Sequence, residues 1–500
     1  MLIDNKPKVF RTKLEEYFSQ FRKHIIGINQ EFETPFGTQK IVYSDWTASG
    51  RLYRPIEEKL INEFGPFVAN THTETTVSGT AMTMAYHNAK HIIKEHLNCN
   101  DEDVLILSGN GMTGVVNKFQ RILGLKVPEN MRKFTDIPDA VKPVVFVSHM
   151  EHHSNQTSWL ETIAKVEIIP ADEHGLFCLK ELEILLKKYE KTVLKIASIT
   201  SCSNVTGIQT PYHQVAKLMH QNGGVCFVDF ACSAPYVDIN MHPENEDEAL
   251  DAIFFSPHKF LGGPGSSGVL VFNKKLYHNK IPDCHGGGTV AITNPWGEHK
   301  YIDNIEDRED GGTPGFLQTI RTALAIKLKE QMGTDNIIAR EHEIMEQLFN
   351  AFLEIPNLHI LASQHRNRLG VLSFYIDDLH FNLAVKLLND RFGIQTRGGC
   401  SCAGTYGHYL LHVDYETSHA LTDEIMEGNL FRKPGWIRLS IHPTLTCDEI
   451  KHICSSVKLL AENWEDWSDD YVYSKTSNEF EHKVVSNKVV SNTVNSWFNL

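Results

Sequence analysis

The 500-residue chain has no run near the ~20 consecutive apolar residues that a membrane-crossing helix requires. Its opening, MLIDNKPKVFRTKLEEYFSQF, mixes charges and has no apolar core, so no secretory signal is expected. Cysteine is sparse: ten residues spread from Cys99 to Cys454 with no repeating framework, which fits free thiols in a reducing, cytoplasmic setting rather than a disulfide scaffold. Basic charge is not in excess either. Against 48 Lys and Arg stand 62 Asp and Glu, a formal charge of −14, so a phosphate-binding nucleic-acid scaffold is excluded. With 41% hydrophobic and 22% charged residues, the chain has enough apolar side chains for a sizeable core. At ~150 residues per domain its length suggests about three units or two large ones.

Short β-branched runs alternate with helical patterns through the first two thirds. They are VLIL (104–107), VVFVS (144–148), VLKIASIT (193–200), VCFVDF (225–230), AIFF (252–255) and GVLVF (268–272). Such runs describe a mostly parallel sheet buried on both faces, the core of an α/β domain. Met82, Ala85, Ala89, Ile92, Ile93 and Leu97 recur at helical spacing over 78–97. Thr210 is expected to cap a helix with Pro211 at its first position, and Asn222-Gly223-Gly224 to stop it before VCFVDF. The expected division is a large α/β domain over 35–315 and a smaller α+β domain over 316–466. Residues 1–34 would join the small domain, and 467–500 form a polar tail carrying the near-repeat VVSNKVVSNTV. In the small domain GVLSFYI (370–376) and GWIRLSIH (435–442) read as strands, with helices near 381–391 and 447–463.

The chemistry concentrates at strand ends. Ser256-Pro257-His258-Lys259 follows AIFF and leads into Gly262-Gly263-Pro264-Gly265. A lysine there can be held in a pocket, where desolvation lowers its pKa and frees its lone pair for imine chemistry. Asp229 ends the preceding strand, where open α/β sheets place ligands. An amine and a buried carboxylate are the pair that pyridoxal phosphate uses: one forms the imine, the other keeps the pyridine nitrogen protonated. Ser108-Gly109-Asn110-Gly111-Met112-Thr113-Gly114 opens a helix after VLIL and can present N–H groups and a hydroxyl to an anion. In Glu151-His152-His153-Ser154-Asn155 an imidazole can lie against a ring.

The ordered set EHHSN, SNVTG, VDFA, SPHKFLGGPG, GGGT and GGTPG resembles the class V, fold-type I pyridoxal-phosphate enzymes, nearest their cysteine desulfurase and selenocysteine lyase branch, from about Asp45 to about residue 460. The resemblance implies a seven-stranded, mostly parallel sheet sandwiched by helices, with pyridoxal phosphate at a domain and dimer interface. It makes Lys259 the Schiff-base lysine and the proton carrier at Cα, sets Asp229 on the pyridine nitrogen and stacks His152 on the ring. Met112, Thr113, Ser256 and His258 would hold the phosphate. Asn204 would reach the phenolic oxygen or the substrate carboxylate. Thr313 would reach the partner's phosphate in a homodimer. Arg438, with Arg397 as a second contact, would clamp the α-carboxylate of an amino-acid substrate.

Within Thr396-Arg397-Gly398-Gly399-Cys400-Ser401-Cys402-Ala403-Gly404, Cys402 takes the place of the branch's nucleophile; only motif position separates it from Cys400. A Cys402 thiolate attacking a substrate sulfur would keep a persulfide and leave alanine, with a sulfur-acceptor protein as a further partner. As a selenocysteine lyase the same cysteine would assist selenium release. The two thiols also admit structural or redox readings, or a metal site with His408 and His412, although the spacing departs from zinc fingers and no metal is expected. Two departures stand out. Asp229-Phe230-Ala231-Cys232 lacks the branch's glutamine, so the phenolic-oxygen contact is missing or passes to Cys232 or Ser233, and residues 405–434 form a long insertion. The competing functions are a class V aminotransferase or epimerase that uses Lys259 without a catalytic cysteine, and a non-catalytic platform protein.

Overall fold

The computed structural model describes residues 12–71, 73–109, 111–484 and 488–499. The first eleven residues, Asn110 of the glycine-rich turn, and 485–487 of the near-repeat lie outside the described residues.

The central sheet has seven strands: β1 (Asp103–Ser108), β2 (Val144–Ser148), β3 (Lys165–Ile169), β4 (Lys195–Thr200), β5 (Val225–Asp229), β6 (Ala252–Phe255) and β7 (Gly268–Asn273). They lie in the order β1-β7-β6-β5-β4-β2-β3. All neighbours run parallel except β7, which is antiparallel to both β1 and β6. The six apolar runs of the sequence all supply strands. The seventh, β3, was not among them: its KVEII pattern is that of an edge strand, with charged residues on a half-exposed ribbon.

Helices cover both faces. On one side α1 (Lys13–Arg22) and α2 (Val77–His96) join the sheet's apolar cluster through Phe18, Phe21 and Ile93. On the other, α3 (Met112–Ile122) buries Val115, Val116, Phe119 and Ile122 against Phe227 and Phe272. Helix α4 (His153–Leu160) leaves β2, and α5 (Tyr212–Gln221) leads into β5. The expected start of α5 is corrected: Pro211 is the cap itself, and the Thr210 hydroxyl donates to the Thr200 carbonyl instead of capping. That carbonyl ends a buried strand, so its need for a donor outweighs that of a helix end.

Helices α6 (Phe316–Met332) and α7 (Thr334–Leu353), joined at Gly333, lead to a second sheet. Its strands are β8 (Leu358–Ile360), β9 (Val371–Ile376), β10 (Arg397–Gly399) and β11 (Trp436–Ser440), antiparallel in the order β8-β9-β11-β10. Helices α8 (Phe381–Phe392) and α11 (Cys447–Ser468) pack on it around a separate apolar core. The insertion carries α9 (Gly404–Leu410) and α10 (Tyr415–Met426), tied by a bond between His408 Nε2 and Ser418 Oγ. Past α11 the polar tail forms a hairpin, β12 (Tyr471–Ser474) and β13 (Glu479–His482). It is anchored to α8 where the Tyr471 hydroxyl donates to Asp390. Among the described residues no helix is long and apolar enough to cross a membrane.

One glycine fixes how the loop after β4 meets the second sheet. Gly207 has φ +72°, its carbonyl accepts from Leu369 N, and a Cβ there would lie 2.4 Å from the Leu369 carbonyl oxygen. Gly207→Ala should therefore destabilise the protein by about 2 kcal/mol, read as a lower urea midpoint with an unchanged slope.

Candidate active site

The parallel register brings the carboxyl ends of β4, β5 and β6 together, with Thr200 beside Asp229 and Asp229 beside Phe254. The turn Ser256-Pro257-His258-Lys259 follows β6 directly, so the Lys259 amine and the Asp229 carboxyl open on one cavity of about 190 Å³. Gly263 permits this turn, because a Cβ there would lie 1.9 Å from the Pro257 carbonyl oxygen. Among the described residues the Lys259 amine has no hydrogen-bond or ion-pair partner, and burial lowers its pKa. Asp229 accepts one bond, from Ala231 N at 2.7 Å, and burial pushes its carboxyl up to about 6.

One rim of the cavity is shaped for an anion. Gly111, at φ +92°, precedes α3 and could not carry a Cβ without meeting Ser256 Oγ at 2.8 Å. Met112 N donates to that same Ser256 Oγ at 2.8 Å, while Thr113 and Ser154 hydroxyls lie 2.6 Å apart. His258 lines this side too, and burial followed by the Lys259 charge pulls its pKa down to about 4. His152 caps α4, its Nδ1 accepting from Ser154 N at 3.1 Å. Burial, then Lys259, lowers it to about 3, so the ring facing the cavity is a neutral imidazole.

The opposite wall comes from the loop after β4 and from the second sheet. Arg438, on β11, forms a 2.6 Å ion pair with Asp45 and donates to the Asn204 carbonyl at 3.3 Å. Asn204 Nδ2 donates to the Ser401 carbonyl at 2.7 Å. Among the described residues three buried polar atoms on these lining residues, Arg438 Nε, Asn204 Oδ1 and Ser401 Oγ, have no hydrogen-bond partner, which buried polar atoms rarely lack. Arg397 lines the mouth and is exposed.

Cys402 reaches the same cavity, whereas Cys400 is absent from its walls and packs against the apolar core. Ser401 and Cys402 both hold left-handed backbone, φ 52° and 57°, a conformation that side chains oppose. His153 holds that turn from below: its N–H donates to the Cys402 carbonyl at 2.7 Å and its Nε2 accepts from Gly404 N at 2.9 Å. His408 bonds through both ring nitrogens, to Gly404 O and Ser418 Oγ.

The cavity thus gathers Lys259, Asp229, His152, Met112, Thr113 and Asn204 with Ser256, His258, Arg438, Arg397 and Cys402. Thr313 is not among its walls and is exposed. Sequence reasoning missed Thr47, Ala48, Ser154, Thr200, Cys202 and Ser401, which also line it, and the Asp45 partner of Arg438. No local signal distinguishes these small residues; Asp45, where the resemblance begins, was the nearest cue.

The model of the Aminotransferase class-V family matches residues 42–453. The chain belongs to that family. Curated relatives include a probable cysteine desulfurase of Halalkalibacterium halodurans, 27% identical over 73% of this chain and 84% of that one. A cysteine desulfurase of Shigella sonnei is 31% identical over 52% of this chain and 62% of that one. Among solved structures, the apo cysteine desulfurase of Thermococcus onnurineus matches with a TM-score of 0.70 at 21% identity, covering 89% of this chain and 98% of its own. The Escherichia coli cysteine desulfurase CsdA matches at 0.68 and 20% identity, over 91% and 99%. Both structural matches share the fold of this class-V member.

The raised pKa of Asp229 has a signed consequence for the cofactor-free protein. Folding favours its neutral form, so its contribution to stability is full below its ordinary pKa of 3.8 and is lost as pH rises through about 6. Asp229→Asn should therefore be more stable than the parent above about pH 6, by up to roughly 3 kcal/mol. The gain should vanish below about pH 4. Urea unfolding across pH reads this directly.

Proposed function

We propose that this cavity holds pyridoxal 5'-phosphate and cleaves the Cβ–S bond of a cysteine-type amino acid, releasing alanine and leaving the sulfur on Cys402. The observation that carries the reading is the meeting of a partnerless lysine amine, a buried carboxyl and a cysteine on one cavity. The names of the curated relatives support the same chemistry.

The residues fit the cofactor. The Gly111 cradle, which a Cβ would fill, and the first N–H groups of α3 suit a phosphate. Asp229 suits a protonated pyridine nitrogen and its pKa would fall on meeting that charge. Neutral His152 suits stacking on a ring. When bound, the cofactor supplies an electron sink for bonds at the substrate's Cα and Cβ.

This chain's own groups do the rest. Lys259 holds the cofactor and moves the proton at Cα. Arg438 takes the substrate carboxylate in bidentate fashion, with Asp45 holding its guanidinium. Cys402, as thiolate, attacks the substrate sulfur; the Cβ–S bond breaks, the electron pair returns to carbon, and a persulfide stays on Cys402. A selenium analogue would occupy the same place. The half-buried position of Cys402 on a strained turn leaves that persulfide open to an acceptor protein. We also infer a homodimer. Exposed Ile61, Phe67, Val68 and Met84 form apolar surface that a second copy would cover, and exposed Thr313 would reach the partner's phosphate cradle.

The test is release of sulfide and alanine from L-cysteine with a thiol reductant. The parent should release both in equal amounts, and Cys402→Ala should fall to background while retaining the cofactor's visible band. Lys259→Ala should lose that band. A keto acid or racemised substrate in place of sulfide would select the aminotransferase or epimerase reading.

A further inference from the structure

The cavity holds two more thiols than the reaction above employs. Cys202, just past β4, and Cys232, just past β5, both line it, at 0% and 5% exposure. Both thiols donate to the Ser203 carbonyl, Cys202 at 3.5 Å and Cys232 at 3.7 Å. Ser233, the other polar side chain of this turn, is fully buried, 2.6 Å from Ser201 Oγ and off the cavity.

Strand order places these thiols relative to everything else. Across the sheet the carboxyl ends run β1, β6, β5, β4, with β7 entering antiparallel between the first two. The anion cradle belongs to the β1 and β6 turns, Lys259 and Asp229 to β6 and β5, and the thiols to the β5 and β4 turns. Pyridoxal phosphate is a flat ring whose aldehyde carbon has the phosphate arm on one side and the phenolic oxygen on the other, with the ring nitrogen opposite. With the arm in the cradle, the aldehyde at Lys259 and the nitrogen at Asp229, the phenolic edge faces the β5 and β4 turns. We propose that the Cys232 thiol, turning from the Ser203 carbonyl, is the group that donates a hydrogen bond to the cofactor's phenolic oxygen.

The electrostatics agree. In the cofactor-free cavity the neighbouring Cys202, Lys259 and Arg438 make Cys232 a better acid, against burial and Asp229. Glu341, buried behind it on α7, is pushed up to about 8 by burial and adds little negative charge at neutral pH. A bound phenolate would replace those cations as the nearest charge, and the S–H would then be the favoured form. Cys232 is thus a positioning residue, reactive when the cavity is open and covered when it is filled.

The inference rests on cofactor binding in this cavity, and its test separates the two. The holoenzyme and the same protein stripped of cofactor are treated with iodoacetamide and mapped by mass spectrometry. Alkylation of Cys232 should be about tenfold slower with pyridoxal phosphate bound, and Cys402, at the mouth, should stay reactive in both. In the holoenzymes of Cys232→Ala and Cys232→Ser, the visible band should titrate differently. Losing the donor localises negative charge on the phenolic oxygen and raises the imine midpoint by about one pH unit in the alanine variant; serine, which can donate, should restore it. Equal alkylation of Cys232 with and without cofactor overturns the proposal, as does an unmoved or lowered midpoint in the alanine variant. Absence of any visible band in the parent overturns cofactor binding itself, and this inference with it.

Discussion

An amine without a partner, held at the carboxyl edge of a buried parallel sheet, is the constraint around which the rest of the cavity is arranged. Lys259 stands there because β6 ends at Phe255 and a glycine-lined turn brings the chain back over it. Burial makes its charge costly, and the neighbouring Asp229 carboxyl pays a similar cost. Two groups whose charged forms burial disfavours, side by side on a cavity, destabilise the cofactor-free protein, and a ligand that meets both recovers that energy on binding. The arrangement is one in which stability is given up locally for binding.

The second sheet completes the site through Arg438. That arginine sits on β11, pairs with Asp45 near the start of the described chain, and donates to the loop after β4. Ser440 on the same strand accepts from Thr47 N and donates its own N–H to Ser44 O. The N-terminal segment is therefore stitched along β11 and carries Thr47 and Ala48 to the cavity wall. The Cys402 turn, clamped by His153 from the first sheet's side, joins the same network through the Ser401 carbonyl and Asn204. Two consecutive left-handed residues survive there because partners on both sides hold them.

Much of this was legible in the sequence, for reasons that differ by residue. The buried central strands announce themselves because few polar residues interrupt them, and Lys259, Asp229 and the glycine-rich turn stand at the ends of those runs, where ligand chemistry is expected. Edge strand β3 escaped because its alternating charge resembles a surface segment. The Thr210 cap was misassigned because a strand-end carbonyl competes for that hydroxyl, and only tertiary structure shows the competitor. Asp45, Thr47 and Ser401 are separated from Lys259 by long stretches of chain and carry no local pattern. Motif position alone does not divide Cys400 from Cys402; the turn packs the first, partly buried, against the core and brings the second to the cavity wall. The tail read as featureless polar sequence because the residues that seat its hairpin, Tyr471 in the second sheet's apolar core and Phe480 against it, are scattered among charged ones, and its bonds to α8 are tertiary.

On the proposed function, Lys259 is the amine that this fold sets aside for a carbonyl ligand. Among the described residues the other buried lysines are all partnered: Lys90 with Glu306, Lys118 with Glu309, Lys195 with the Thr192 carbonyl and Lys329 with the Val237 carbonyl. Incubation with pyridoxal phosphate, reduction with borohydride and peptide mapping test the claim directly. The account predicts one pyridoxyl group per chain, on the peptide containing Lys259. Label spread over surface lysines, or concentrated on any lysine other than Lys259, would contradict it.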